Sequence, residues 1–172
     1  MEIQPTATTT PDEGTAGTAQ PFASRAGFQQ ALRDCIGRAR LTLQCFDPDF
    51  TIWELGTAET DALLRRFLAG HGKLELVAHD FGALERQAPR LLRLLRDYGH
   101  AIECRLTGKQ LRHLTDSFCI ADGRHLVRRY HADHVRGEAI YDAPPATQLC
   151  KERYTAIWAE TMPGLHANTT GL

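Results

Sequence analysis

The chain reads as an α/β domain with a mixed, mostly parallel central sheet and helices on both faces. Three observations carry that expectation. Between Leu41 and Leu106, short β-favouring runs alternate with apolar residues at helical spacing. A strand–helix–strand–helix–strand succession implies crossover connections and parallel strands. SFCIA, residues 117–121, is apolar on both faces, as a central strand is. The 172 residues suffice for one core.

The elements follow in order. Residues 1–20 are mostly Thr, Pro, Gly and Ala. They hold too little apolar surface to offset ordering, so a disordered lead-in is expected, with the domain over 21–172. Ser24 suits the cap of a helix running to about Arg40, with Phe28, Leu32, Cys35, Ile36 and Ala39 on one face. Leu41 to Phe46 is strand-like and ends in the acidic turn Asp47-Pro48-Asp49. Trp53 beyond it fits a lid on the sheet better than a base-stacking platform.

Thr57 caps the next helix and Gly70 ends it. Lys73 to His79 is a second strand. Pro89 divides the helical pattern of Phe81 to Tyr98 and opens a new helix. Arg86, Arg90, Arg93 and Arg96 alternate with leucines there, as on a solvated helix face; a nucleic-acid stripe is the other reading of the same row. Ala101 to Leu106 is a third strand, and Gly108 to Leu114 a short helix or turn. EAIYD is a further strand. Pro144 and Pro145 open a last helix to about Glu160, with Leu149, Tyr154, Ile157 and Trp158 as expected packing residues. The tail from Thr161 has little periodicity.

Thr115 to Gly137 organises the rest. Asp122-Gly123 between SFCIA and HLVRRY is a hairpin signal, because a type I′ turn needs positive φ at both central residues. With a two-residue turn, Ala121 faces Arg124, Ser117 faces Arg128 and Asp116 faces Arg129. The charged cluster then lies at the strand ends away from the turn, where α/β sheets often hold ligands.

Net charge is −1, so no basic field announces a nucleic-acid binder, and nucleic acid is not the expected partner. No run spans a bilayer, and no signal peptide is visible. Five cysteines, an odd number without a Cys-x-x-Cys, suit reduced core thiols and a cytoplasmic location.

TDSFCIADG resembles the strand that carries the H-x-K-x-x-x-x-D motif of the phospholipase D superfamily. Asp122 aligns with the final Asp, Thr115 with the nucleophilic His and Ser117 with the Lys. The family's Gly-Ser-x-Asn segment falls on Arg129, Tyr130, His131 and Ala132. The chain is similar to catalytically degenerate, single-repeat phospholipase D-like domains of bacteria. That resemblance implies a single-repeat α/β fold in which the phosphohistidine chemistry of the superfamily has been lost. Thr and Ser cannot serve as nucleophilic imidazole and base at neutral pH, though both can hydrogen-bond an anion.

The expected ligand-binding set is Thr115, Asp116, Ser117, Arg105, Arg128, Arg129, His131, Arg136 and Asp47. Arginine forks match phosphate or carboxylate. Structural ion pairing with Asp116, Asp133 and Glu138 is the competing reading of the same arginines. His131 and His113 are the candidates for any residual catalysis. His131-x-Asp133-His134 shows no complete ligand shell, so no metal and no cofactor are expected. Three functions are consistent with these residues: a non-catalytic module binding a phosphate-containing or anionic partner, a divergent phosphodiesterase or phosphotransferase using His131 or His113, and a structural unit that pairs as a homodimer.

Overall fold

A computed structural model describes residues 17–166. In chain order the elements are β1 (Gln20–Phe22), α1 (Arg25–Arg38), β2 (Thr42–Phe46), α2 (Ala58–Ala69), β3 (Lys73–Ala78), α3 (Gly82–Gln87), α4 (Pro89–Asp97), β4 (Ile102–Thr107), β5 (Ser117–Ala121), β6 (His125–Arg129), β7 (Gly137–Ile140), α5 (Pro144–Ala159) and β8 (Thr161–Pro163). Short 3-10 turns at Thr51–Trp53 and Lys109–Leu111 follow β2 and β4.

Local chemistry sets the helix ends. The Ser24 hydroxyl accepts from the Gly27 amide at the start of α1, and Thr57 accepts from Thr60 at the start of α2. Gly70 closes α2. Proline opens both α4 and α5, where its missing N–H costs nothing.

One eight-stranded sheet runs in the order β1-β7-β6-β5-β2-β3-β4-β8. Only β2–β3 and β3–β4 pair in parallel; the other pairs are antiparallel. The mostly parallel sheet expected from sequence is therefore corrected to a mostly antiparallel one. The crossover units exist, but hairpin-linked strands extend one side of them and β8 closes the other.

Side-chain alternation along the strands builds two cores. Leu43, Cys45, Leu74, Leu76, Cys119 and Val127 face α1–α4. Phe46, Val77, Phe118, Ile120 and Leu126 face α5, against Cys150, Tyr154 and Ile157. Every residue of β5 is buried.

Four smaller expectations also change. The hairpin register is one residue off, because Arg124 joins the connection. Asp122 and Gly123 take positive φ and Arg124 N–H bonds to Ala121 O at 3.0 Å, yet Ala121 lies opposite His125. Ser117 therefore faces Arg129, and Phe118 faces Arg128. Leu149 is not a packing residue: it is 72% exposed, one position off the stripe formed by Thr147, Cys150, Tyr154 and Ile157. The expected lead-in yields Gln20 to β1, and Gly17 N–H bonds to Tyr141 O at 2.8 Å, while residues 1–16 lie outside the described ones. The tail contributes β8, paired with β4, before residues 167–172, which also lie outside.

Candidate functional site

The residues at the opening of β5 lie on both faces of the sheet. Ser117, Arg129 and Asp47 turn toward α1. Asp116, Phe118 and Arg128 turn toward α5. A two-residue period forces this split, because neighbours in a strand point opposite ways.

On the α1 side, Asp47 and Arg129 form a buried ion pair, 1% and 5% exposed, with Nη2 to Oδ2 at 2.6 Å. Asp47 Oδ1 accepts from the amides of Asp49 at 3.0 Å and Phe50 at 2.7 Å, and Oδ2 also accepts from Trp53 Nε1 at 2.9 Å. This carboxylate pins the 3-10 turn, including Phe50, whose φ of 59° is in the left-handed region a bulky residue avoids. Trp53 is thereby fixed as the lid expected. Arg129 Nε donates to Ser117 Oγ at 3.1 Å, and Nη1 to the carbonyls of Ala132 at 2.6 Å and His134 at 3.3 Å. Its guanidinium lies 5.0 Å from the centre of the Phe28 ring. A buried charge needs such a full set of partners. The pair thus ties β2, β5, β6 and the 130–136 loop together.

On the α5 side is a cleft of about 390 Å³, lined by Thr115, Asp116, Arg128, Tyr130, Leu149 and Arg153 among others. Cys150 lies at its floor; burial pushes that thiol above its ordinary range, and Arg128 only partly offsets this. It is therefore a thiol rather than a nucleophilic thiolate at neutral pH. Arg153 grips Asp116 with two bonds, Nε–Oδ1 at 2.6 Å and Nη2–Oδ2 at 2.7 Å, which holds the guanidinium more firmly protonated. Arg128 donates to Glu138 Oε1 from Nε at 2.8 Å and from Nη2 at 2.6 Å, and lies 5.8 Å from the Tyr130 ring centre. Tyr130 and Leu149, 61% and 72% exposed, stand at the rim.

Of the expected ligand set, Thr115, Asp116 and Arg128 present side chains to this cleft, while Ser117 and Arg129 border it but turn their side chains to the α1 side. The others do not join them. Asp47 is sealed in the ion pair. Arg105 is three strands from β5, bonded to Thr161 and Glu103. His131 is on the loop after β6, where Nδ1 accepts from the Asp133 amide at 3.1 Å; Arg136 is exposed at the end of that loop. His113 is exposed ahead of β5. Among the described residues, no group of three or more His, Cys, Asp or Glu is arranged to hold a metal ion.

Sequence reading missed three positions. Arg153 reaches the cleft from α5, and no local signal links it to Asp116, 37 residues away. Asp122, read as a turn residue and as the match to the final Asp of the motif, accepts the amides of Arg40 at 2.9 Å, Leu41 at 2.7 Å and Thr42 at 2.9 Å. His79 bridges Thr107 Oγ1 at 2.6 Å and Leu114 O at 2.8 Å. A carbonyl can only accept, so Nε2 donates to Leu114 O.

Solved structures share this architecture at low identity. Nuc from Salmonella typhimurium, a phospholipase D family member, is 14% identical with a TM-score of 0.62, over 86% of this chain and 97% of its own. NucT from Helicobacter pylori is 13% identical with a TM-score of 0.57, over 86% of this chain and 99% of its own. TrmBL2, an archaeal chromatin protein whose structure shows a novel mode of DNA binding, is 11% identical with a TM-score of 0.65, over 92% of this chain and 57% of its own. No curated protein matches the sequence. At these identities the likeness establishes the fold alone. The model of the family described as Domain of unknown function (DUF7931) matches residues 24–167. The chain accordingly belongs to that family and carries a phospholipase D-like fold.

Proposed function

We propose that the chain is a non-catalytic, single-repeat phospholipase D-like module that binds a phosphate-containing or anionic ligand in the α5 cleft. The observation that carries this reading is the pair Arg128 and Arg153 beside Thr115, at the position the resemblance assigns to the catalytic imidazole. Neither guanidinium is locked in the protein interior. Their side chains are 40% and 47% exposed, and each is paired with one carboxylate. Each pair is held by two short bonds, so an incoming phosphate has to compete with Asp116 or Glu138 for the exposed side of the guanidinium. The hydroxyl of Thr115 adds a neutral donor. Thr115 and Ser117 supply neither a nucleophilic imidazole nor a base, Cys150 is protonated, and His131 and His113 are not among the lining residues.

A phosphodiester hydrolysis assay tests the non-catalytic part. No turnover above background is expected. Turnover abolished by His131→Ala or His113→Ala would replace this reading with the divergent phosphodiesterase.

Two further points bear on partners. Tyr130 and Leu149 at the rim favour, as a second reading, pairing of two copies through this face. Light scattering on wild type and on Leu149→Glu distinguishes a dimer from a monomer. The DNA-binding chromatin protein among the similar folds puts oligonucleotides among the ligands to try. Five free, buried cysteines support the cytoplasmic location, and among the described residues no helix is long and apolar enough to cross a membrane.

A further inference from the structure

We infer that the outer face of α3 and α4 is a docking surface for the sugar-phosphate backbone of a nucleic acid, distinct from the α5 cleft. From sequence, Arg86, Arg90, Arg93 and Arg96 read as a solvated face. Their placement supplies more. All four are exposed, while Leu84, Leu91, Leu94 and Leu95 bury the opposite side. On α4, spacings of three residues set Arg90, Arg93 and Arg96 within an arc of about 120°, which their long side chains can bridge. Over 82–96 these four arginines face one acid, Glu85.

The ion-pair pattern also differs from that of the α5 cleft. Asp97 holds Arg96 at 3.3 Å and is shared with Arg65, and Arg90 Nη1 is positioned by Gly56 O at 3.2 Å. Arg86 and Arg93 have no carboxylate within ion-pairing distance among the described residues. Arg93 and Arg96 then line a cleft of about 480 Å³ with His166, over Leu92, Leu95 and Leu165, Glu85 being its one acid. A row of guanidinia beside a shallow apolar groove suits a strand whose phosphates meet arginine forks.

The chemistry of the face selects the partner. Among the described residues the large exposed apolar side chains are Leu41, Tyr130, Leu149 and Met162, none of them on α3 or α4, so these two helices offer no apolar wedge to a lipid surface. Phosphates on a repeating backbone match the spaced row better than a single anion would. The face lies on the α1–α4 side of the sheet, away from α5, so this inference stands or falls apart from the proposed function.

Fluorescence anisotropy of the full chain with a mixed-sequence oligonucleotide, single-stranded and duplex, across a salt series tests it. Wild type binds at low salt. The double variant Arg86→Glu/Arg93→Glu binds about tenfold or more weakly, with a salt slope flatter by about two for the duplex. Arg86→Lys/Arg93→Lys keeps most of the affinity, and Arg25→Glu/Arg112→Glu, a charge reversal at two exposed arginines off this face, binds like wild type. The altered positions are exposed, and an unchanged melting curve confirms folding. The inference is overturned if wild type does not bind at low salt, or if the charge-reversed chain binds equally well. It is overturned too if Arg25→Glu/Arg112→Glu loses as much affinity as the charge-reversed row, or if phosphatidylserine vesicles bind this face and oligonucleotides do not.

Discussion

Arg128 and Arg129 are adjacent in β6, yet they work in different media. Arg129 is buried against the Phe28 ring and bonded to Asp47, Ser117 and two carbonyls. Arg128 lies across the sheet, partly in water, with Glu138 as its carboxylate. One arginine is a structural bolt, the other an available cation. Chemistry that looks clustered in sequence is divided by the sheet, and of these two neighbours only Arg128, on the α5 side, keeps contact with water.

The largest expected effect comes from unpairing the bolt. Asp47→Ala or Arg129→Ala leaves an uncompensated buried charge and should cost about 3–5 kcal/mol in urea denaturation. The double variant Asp47→Leu/Arg129→Met should recover much of that loss, since replacing both charges by apolar groups is often close to neutral. If Asp47→Ala falls within about 1 kcal/mol of wild type, Arg129 is not the bolt described.

Next comes the far end of β5. Asp122→Ala strips three amides of their acceptor and should cost about 1–3 kcal/mol. On the cleft side, Arg128→Ala should change stability by about 1 kcal/mol or less while weakening anion binding. A loss as large as that of Arg129→Ala would erase the contrast between the two arginines.

The smallest effect is a pH dependence at His125. Burial lowers its pKa below the ordinary 6.5, against the pull of Asp142, while Arg38 and Arg124 push the same way as burial. Nδ1 accepts the Asp142 amide at 3.0 Å, as a neutral ring does. The unfolded chain takes up this proton more readily than the folded one. The contribution of His125 is therefore complete above about pH 6.5 and is lost as pH falls through the lower folded value. Melting temperatures should drop over that window in wild type, and His125→Gln should show a shallower drop.

Much of the fold was legible because its signals are local. Ser24, Thr57, Gly70, Pro89 and Pro144 mark helix ends through their own hydrogen bonds or their lack of an N–H. The all-apolar SFCIA marked a buried strand, and β2, β3 and β4 do form the parallel unit their crossovers imply. Strand direction beyond that unit was not legible, since apolar content does not tell which edge a returning strand joins. The register slipped because Asp122 and Gly123 identify a turn without fixing whether Arg124 belongs to it. At the site, Thr115, Asp116, Ser117 and Arg128 could be read from one segment. Arg153 could not, because its place depends on how α5 crosses β5. Asp47 was read as an acidic turn residue and a candidate ligand, and its role as the partner of Arg129 emerges only once the two are seen together.

The most direct test is calorimetric titration of inorganic pyrophosphate into wild type and Arg128→Ala/Arg153→Ala at low salt. A saturable heat in wild type that disappears in the double variant, with both chains melting alike, is the predicted result. No saturable heat in wild type, or the same heat in both chains, would contradict the α5 cleft as an anion site.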